Sequence, residues 1–414
     1  MKLQILASTL FVCALVCARG QGSTAQQERA QPDAIQSYLQ TMVDQHALAG
    51  AVTLVATKDQ IVYLKAGGFR DLSTKAPMRP DDLFWIASTT KPMTATALMM
   101  LVDEGKVGLD DPVEKYLPEF KGQMVRQIRT EPAPASPGSL KPLQLVPSTH
   151  PVRIREILSH TSGLPFRSAA QPGALDLLPL KGAVRSYAAE PLLFQPGTDY
   201  SYSNEGLNTA ARIIEVVSGI PYEQFMQERL FDPLGMKETT FWPNADQVRR
   251  VAKTYKLDKG SGGLMEVPVS QLTYPLDDRQ HRYPMPAGGL FSTAEDVSKF
   301  CQMILNEGTF KGRRFISTSA LHEMTSTQNG GLGGKTYGLG WSISKNGFGH
   351  GGAFNNEMEI DRVEGRILIF MVQQDGPWGT PDGDSIASTL SRLVKDMAAS
   401  RTVAPSDASV SRKH

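Results

Sequence analysis

The chain has 414 residues, with 43 lysines and arginines against 42 aspartates and glutamates, a formal net charge of +1 and 41% hydrophobic residues. That length supports a sizeable buried core and allows two or three domains, or one large domain carrying an insertion. The near-zero charge argues against a protein built to hold nucleic acid or an anionic membrane surface, and the ordinary globular composition excludes wholesale disorder, collagen-like repeats and a multi-span membrane protein.

Residues 1–20, MKLQILASTLFVCALVCARG, open on Lys2 and run apolar from about Leu3 to Ala18. A short basic start, an apolar stretch shorter than the ~20 residues of a membrane span, and small residues at the exit read as a cleavable signal peptide. The expected location is therefore secreted or periplasmic, with no stable membrane association after cleavage. Loss of Lys2 and Arg19 leaves 41 basic against 42 acidic residues, or −1, and leaves Cys301 as the single cysteine. One cysteine makes no internal disulfide, so the core must be self-sufficient. Cys301 lies in an apolar helical pattern with Val297, Phe300 and Ile304, which predicts a buried small hydrophobe.

Further along, residues 33–47 predict an amphipathic helix with Ile35, Leu39, Met42 and Val43 on one face. Ala51–Ala56 and Ile61–Ala66 predict a hairpin, and Thr89–Glu104 a helix ended by Gly105. Residues 121–152, rich in Pro and Ser, read as a surface excursion, and 153–245 as mostly helical. A helix over Thr293–Asn306 leads to strand-like segments at Gly338–Ser344, Phe348–Phe354, Glu357–Asp361 and Arg366–Gln373. A last helix over Asp384–Ala398 precedes a tail, 402–414, that reads as disordered. Strands at both ends with helices between predict a mixed α/β (α+β) fold. One antiparallel sheet, built from about 34–87 and 286–395 and flanked by helices, would carry a mostly helical part of about 88–285.

Three short motifs carry chemistry. Ser88-Thr89-Thr90-Lys91 is an S-x-x-K at a helix start. Residues three apart share a helix face, so the Lys91 amine can reach the Ser88 oxygen, and a desolvated neutral lysine can serve as the base a serine nucleophile needs. Read alone, the same residues are also a helix cap with a surface lysine. A second S-x-x-K, Ser342–Lys345, falls in strand-like sequence, where positions three apart face opposite ways. Tyr202-Ser203-Asn204 offers a phenol as a second proton-transfer group and an amide to orient the lysine, against the alternative of a packed Tyr and a capping Asn. His350-Gly351-Gly352-Ala353 follows a predicted strand, where missing side chains allow close approach of a substrate. The Ala353 and Ser88 amides could together form an oxyanion hole, against the alternative of a bulged strand with a satisfied histidine.

With S-x-x-K, Y-x-N and H-x-G in that order, 114 and 148 residues apart, the chain resembles the serine β-lactamase and penicillin-binding-protein superfamily, in its class C-like branch of esterases and D-peptidases. Phe84–Lys91 (FWIASTTK), Ile154–Leu164 (IREILSHTSGL), Pro286–Phe300 (PAGGLFSTAEDVSKF) and Tyr337–Trp341 (YGLGW) also look like that branch, and the likeness spans roughly 34–395. It implies a β-lactamase/transpeptidase-like fold and an acyl-enzyme mechanism without a cofactor. In it Ser88 is the nucleophile, Lys91 and Tyr202 share the proton work, and Asn204 positions Lys91 and substrate. Which of Lys91 and Tyr202 is the principal base stays open.

The third motif departs from the Lys-Thr-Gly or Lys-Ser-Gly usual in β-lactamases, because His350 and Gly351 replace the lysine and the hydroxyl that help hold a substrate carboxylate. This favours a small ester or amide as substrate, with esterase or β-lactamase-like activity, and a D-Ala-D-Ala carboxypeptidase or D-aminopeptidase as the alternative. A slowly deacylating penicillin-binding or sensor protein is the non-enzyme alternative. Lys335-Thr336-Tyr337-Gly338 looks like a displaced K-T-G, but Tyr337 breaks the spacing. Ser159-His160 invites a catalytic triad, yet no G-x-S-x-G exists to present a nucleophile, and His160 reads as a brace for the turn at Gly163. The seven histidines show no metal-ligand spacing, so no metal is expected.

Overall fold

The computed structural model describes residues 33–128, 143–171, 173–258, 260–269, 271–376 and 386–402. The expected signal segment 1–20, the centre of the Pro-rich stretch and the tail beyond Thr402 lie outside these residues. The run GAVTLVAT becomes strand β1, Gly50–Thr57, all but its last residue buried. Its alternate residues serve two cores. Ala51 and Val55 face a cluster with Ile35, Leu39, Ile386 and Leu390, whereas Val52, Leu54 and Ala56 face the larger cluster with Phe300 and Ile304. A continuous apolar run is what a strand covered on both faces requires.

Around β1 the sheet has seven strands. They are β2 (Ile61–Asp71), β3 (Ala76–Pro77), β4 (Ser342–Ile343), β5 (Gly347–Gly351), β6 (Glu357–Asp361) and β7 (Arg366–Val372), in the order β4-β5-β6-β7-β1-β2-β3 and antiparallel throughout. Both edge strands are two residues long, and one ends in Pro77, which blunts the edges against pairing with other chains. Helix α1 (Ala34–Asp44) and the last helix, Ile386–Thr402, cover one face. The helix Ala294–Leu305 covers the other and buries Cys301. The residues described from Ala34 onward belong to one compact unit.

In the middle of the chain short helices alternate with long irregular segments, so among the described residues it is less helical than expected. Helix α2, Lys91–Asp103, is buried from Lys91 to Leu101, so it runs through the protein rather than along its surface. Against it packs α5 (Asn204–Ser218), and α3 (Ile154–Ser159) and α4 (Leu180–Ala188) pack in turn on α5. Where a surface excursion was expected, Met124–Ile128 and Leu143–Pro147 pair as a hairpin.

Two predicted strands are shorter than expected, each because the chain leaves the sheet to dock on the α2 region. Of Gly338–Ser344 only Ser342–Ile343 pairs. Gly340 turns with φ 81° to donate its N–H to the Leu158 carbonyl, and a Cβ there would lie 2.4 Å from Ala95. Of Phe348–Phe354 the strand keeps only the part to Gly351, so Ala353 sits in a turn, not on a strand.

Helix α5 approaches α3 so closely that a Cβ on Gly206 would lie 2.3 Å from the Ile157 carbonyl oxygen, whereas one on Gly182 of α4 would meet nothing nearer than 4.0 Å. Helical Gly→Ala normally stabilises by up to ~1 kcal/mol. Gly182→Ala is therefore expected to raise the denaturant midpoint modestly. Gly206→Ala is expected to lower it by the ~2 kcal/mol typical of overpacking, a reversal of sign readable in one pair of urea titrations.

Candidate active site

Ser88 does not sit on α2 itself but in the 3-10 turn Ala87–Thr90 that precedes it, and Lys91 is the first residue of the α-helix. In a 3-10 turn side chains at i and i+3 eclipse, which aligns this pair more closely than an α-helix would. Lys91 Nζ lies 3.0 Å from Ser88 Oγ. The turn is entered through Ala87 at φ 45°, a left-handed conformation costly for a residue with a Cβ and held here by its neighbours.

Lys91 is fully buried, which corrects the alternative of a surface lysine. Its amine donates to Asn204 Oδ1 at 2.7 Å and to the Ala287 carbonyl at 2.8 Å. Burial, with no carboxylate beside it, drives the amine well below the usual lysine range. A neutral amine has two N–H groups and one lone pair. With both N–H groups committed to Asn204 and Ala287, the lone pair is left for Ser88.

Asn204 is the first residue of α5, and the cap is Ser203, whose Oγ accepts the Gly206 N–H at 3.1 Å. That division frees the Asn204 side chain for Lys91. One turn on, Asn208 Oδ1 accepts the Ala287 N–H at 3.0 Å, so α5 also fixes the carbonyl that Lys91 meets. Neither Asn208 nor the Ala287 carbonyl was singled out in the sequence. The Asn-x-x-x-Asn spacing was visible, but the carbonyl carries no sequence signal.

The Tyr202 phenol lies beside Ser88, and Lys91 Nζ sits 4.6 Å from the centre of its ring. Burial raises this phenol above the usual tyrosine range, so it holds its proton at neutral pH. Phe166 stacks on its outer side with ring centres 6.2 Å apart. Ala87, Met285 and Phe354 belong to an apolar cluster around Trp85, which makes that side of the nucleophile greasy.

His350 is buried, and its ring is committed at both nitrogens. The Gly351 carbonyl can only accept, so Nδ1–H donates to it at 2.7 Å, and Nε2 accepts the Tyr337 hydroxyl at 2.9 Å. Burial first, and then the nearby Lys91, lower the imidazole to about 3, so it is neutral. Tyr337, which in the sequence opened the YGLGW segment and spoiled a K-T-G spacing, is thus the partner of the third motif. Gly351 is exposed, and Gly352 presses against the backbone before the nucleophile, where a Cβ would lie 2.6 Å from the Ile86 carbonyl oxygen. The turn bearing Ala353 is thereby set beside the Ser88 segment. His160 does not brace Gly163. Its Nδ1 accepts the Ser203 N–H at 3.1 Å, and its ring packs on Tyr202 and Tyr337.

Next to Asn204, Glu205 is fully buried, and among the described residues neither carboxylate oxygen has a hydrogen-bond partner. Burial, then Glu190, raise it to about 9. The folded state therefore holds a proton that the unfolded chain releases near 4.5. Its contribution to stability is full below about 4.5 and is lost as pH rises toward 9. Glu205→Gln is expected to remove this slope and to stabilise the protein by on the order of 3 kcal/mol at pH 7, with little effect at pH 4.5. Parallel denaturant melts across that range check it.

A serine hydroxyl against a buried lysine, on an antiparallel sheet joined to a helical part, defines a serine hydrolase of the β-lactamase/transpeptidase-like fold. The profile of the Beta-lactamase family matches residues 35–390, and the chain belongs to that family. Among its relatives, Protein Rv1367c of Mycobacterium tuberculosis is 30% identical over 382 residues, covering 82% of this chain and 90% of the relative. Esterase EstB of Burkholderia gladioli is 28% identical over 324 residues, covering 72% and 74%. Among solved structures, EstCE1, a hydrolase with promiscuous acyltransferase activity, superposes with a TM-score of 0.68 at 22% identity, covering 87% of this chain and 96% of that one.

Proposed function

We propose that the protein is a class C-like serine acyl-hydrolase that cleaves small esters or amides through an acyl-Ser88 intermediate. The observation that carries this reading is the Lys91 amine, buried, with both N–H groups taken by Asn204 and Ala287, 3.0 Å from Ser88 Oγ. Ser88 Oγ attacks the acyl carbon while its proton passes to the Lys91 lone pair. The oxyanion meets the amides of Ser88 and Ala353. The bond to the leaving group breaks as the proton taken by Lys91 returns to that group by way of the Tyr202 hydroxyl. Water then repeats the sequence on the acyl-enzyme, releasing the acid and restoring Ser88. The raised phenol of Tyr202 favours Lys91 as principal base and Tyr202 as proton carrier.

Substrate preference follows from His350. A cation at this position would pair with a substrate carboxylate, but a neutral imidazole already committed to Tyr337 and Gly351 supplies none. This supports uncharged esters over D-Ala-D-Ala peptides or penicillins, and the esterase among the relatives agrees with it. Incubation with a fluorophosphonate, a neutral p-nitrophenyl ester and a penicillin, each followed by mass spectrometry, tests the reading. Rapid labelling at Ser88, ester turnover, and much slower penicillin acylation are expected. Ser88→Ala should abolish labelling and lower ester turnover by about 10³-fold or more. Full activity in Ser88→Ala overturns the mechanism, and a long-lived penicillin adduct turns the reading toward a penicillin-binding protein.

The basic start and apolar run of residues 1–20 support export of the enzyme by a signal peptide. On expression in a secreting host, the intact mass of the protein recovered outside the cytoplasm should lack about 20 N-terminal residues. Recovery of the full-length mass overturns export by cleavage.

A further inference from the structure

Tyr202 stands in an irregular stretch between Asp199 and the start of α5, where no strand or helix ladder satisfies its neighbours' amides. Backbone N–H groups in such a stretch must find partners elsewhere. Here both flanking amides go to one residue. Ser201 donates its N–H to the His160 carbonyl at 3.0 Å, and Ser203 donates its N–H to His160 Nδ1 at 3.1 Å. His160 can reach both because it caps α3 in the left-handed conformation, φ 63° and ψ 27°, which turns its carbonyl and its ring toward the same segment. A residue with a Cβ adopts that backbone only at a cost, so the surroundings must hold it there. Its ring is 1% exposed and lies 4.5 Å from the Tyr202 ring and 4.6 Å from the Tyr337 ring, measured between centres.

We infer that His160 is the positioning residue of Tyr202, clamping the backbone on both sides of it so that the phenol meets Ser88. The inference rests on the proposed acyl-enzyme reading. Because Nδ1 accepts an N–H, the neutral ring carries its proton at Nε2. That atom is buried and has no hydrogen-bond partner among the described residues, so it is Nδ1 and the carbonyl that do the holding. The same ring packs on both Tyr202 and Tyr337, the residue that holds His350. Catalytic geometry tolerates little error, since a displacement of about 1 Å can cost about 100-fold in rate.

Asparagine and glutamine distinguish the two ring nitrogens. Asn places its amide oxygen near the position of Nδ1 and tolerates the left-handed backbone, whereas the amide of Gln extends to the position of Nε2. His160→Asn is expected to keep ester kcat within about 3-fold of the parent, and His160→Gln to lose about 30-fold in kcat with KM little changed. Fluorophosphonate labelling of Ser88 should slow in parallel. His160→Gly, relaxed at φ 63° and lacking the acceptor, repeats the comparison if the Gln variant does not fold. In a Tyr202→Phe background the loss on His160→Gln should disappear, because the residue it positions no longer carries a proton. An equal loss in both backgrounds, or an active Gln variant beside an inactive Asn variant, overturns the positioning role alone. Full activity of Tyr202→Phe overturns it together with the proposed proton path, and full activity of Ser88→Ala overturns the acyl-enzyme reading itself.

Discussion

The amine of Lys91 has been taken entirely out of water, and among the described residues no carboxylate hydrogen-bonds to it in compensation. A buried ammonium would cost several kcal/mol, so the side chain resolves the conflict by giving up its proton. What remains must then be satisfied as an amine. One helix supplies the amide of Asn204, and Asn208 of the same helix holds the Ala287 carbonyl in place. Helix α2, helix α5 and the segment before the Ala294–Leu305 helix are thus tied to one nitrogen atom, and its single unclaimed lone pair lies beside Ser88.

Three of the seven non-glycine residues at positive φ among the described residues stand around the same place. Ala87, His160 and Asn355 are non-glycine residues with positive φ, at 45°, 63° and 65°. One immediately precedes Ser88, one grips the stretch around Tyr202, and one closes the turn that carries Ala353. Each is secured by contacts from elsewhere in the chain. Gly352 packs on the Ile86 carbonyl, Ser201 and Ser203 bind His160, and Asn355 Nδ2 donates to the Gln374 and Gly376 carbonyls. Left-handed backbone at three such positions would not persist in a loosely packed site.

Much of the fold was readable because two patterns are strong. The continuous apolar runs of β1 and β7 suit strands covered on both faces, and the helical stripe of Ile35, Leu39, Met42 and Val43 is dictated by which face meets a core. The strands around Gly338–Ser344 and Phe348–Phe354 were overread for a physical reason. Their residues suit a sheet, but glycines at 340 and 352 let the chain dock against α2 and the Ser88 segment instead. The hairpin of Met124–Ile128 with Leu143–Pro147 was hidden by the Pro- and Ser-rich composition between its arms.

The sequence by itself determined which side chains could do chemistry and in what order along the chain: Ser88, Lys91, Tyr202, Asn204 and His350 are named by short motifs, since i to i+3 spacing on a helix start is a local geometry. Only the tertiary structure decided their states. Whether Lys91 is a surface cation or a buried neutral base depends on solvent exclusion by residues 113 and 196 positions away. Whether His350 offers a charge depends on Tyr337, and whether His160 supports Gly163 or Tyr202 depends on where α5 begins. Charge, tautomer and orientation are set by burial and by the partners of each polar atom, and these are properties of the packed chain that no local motif encodes.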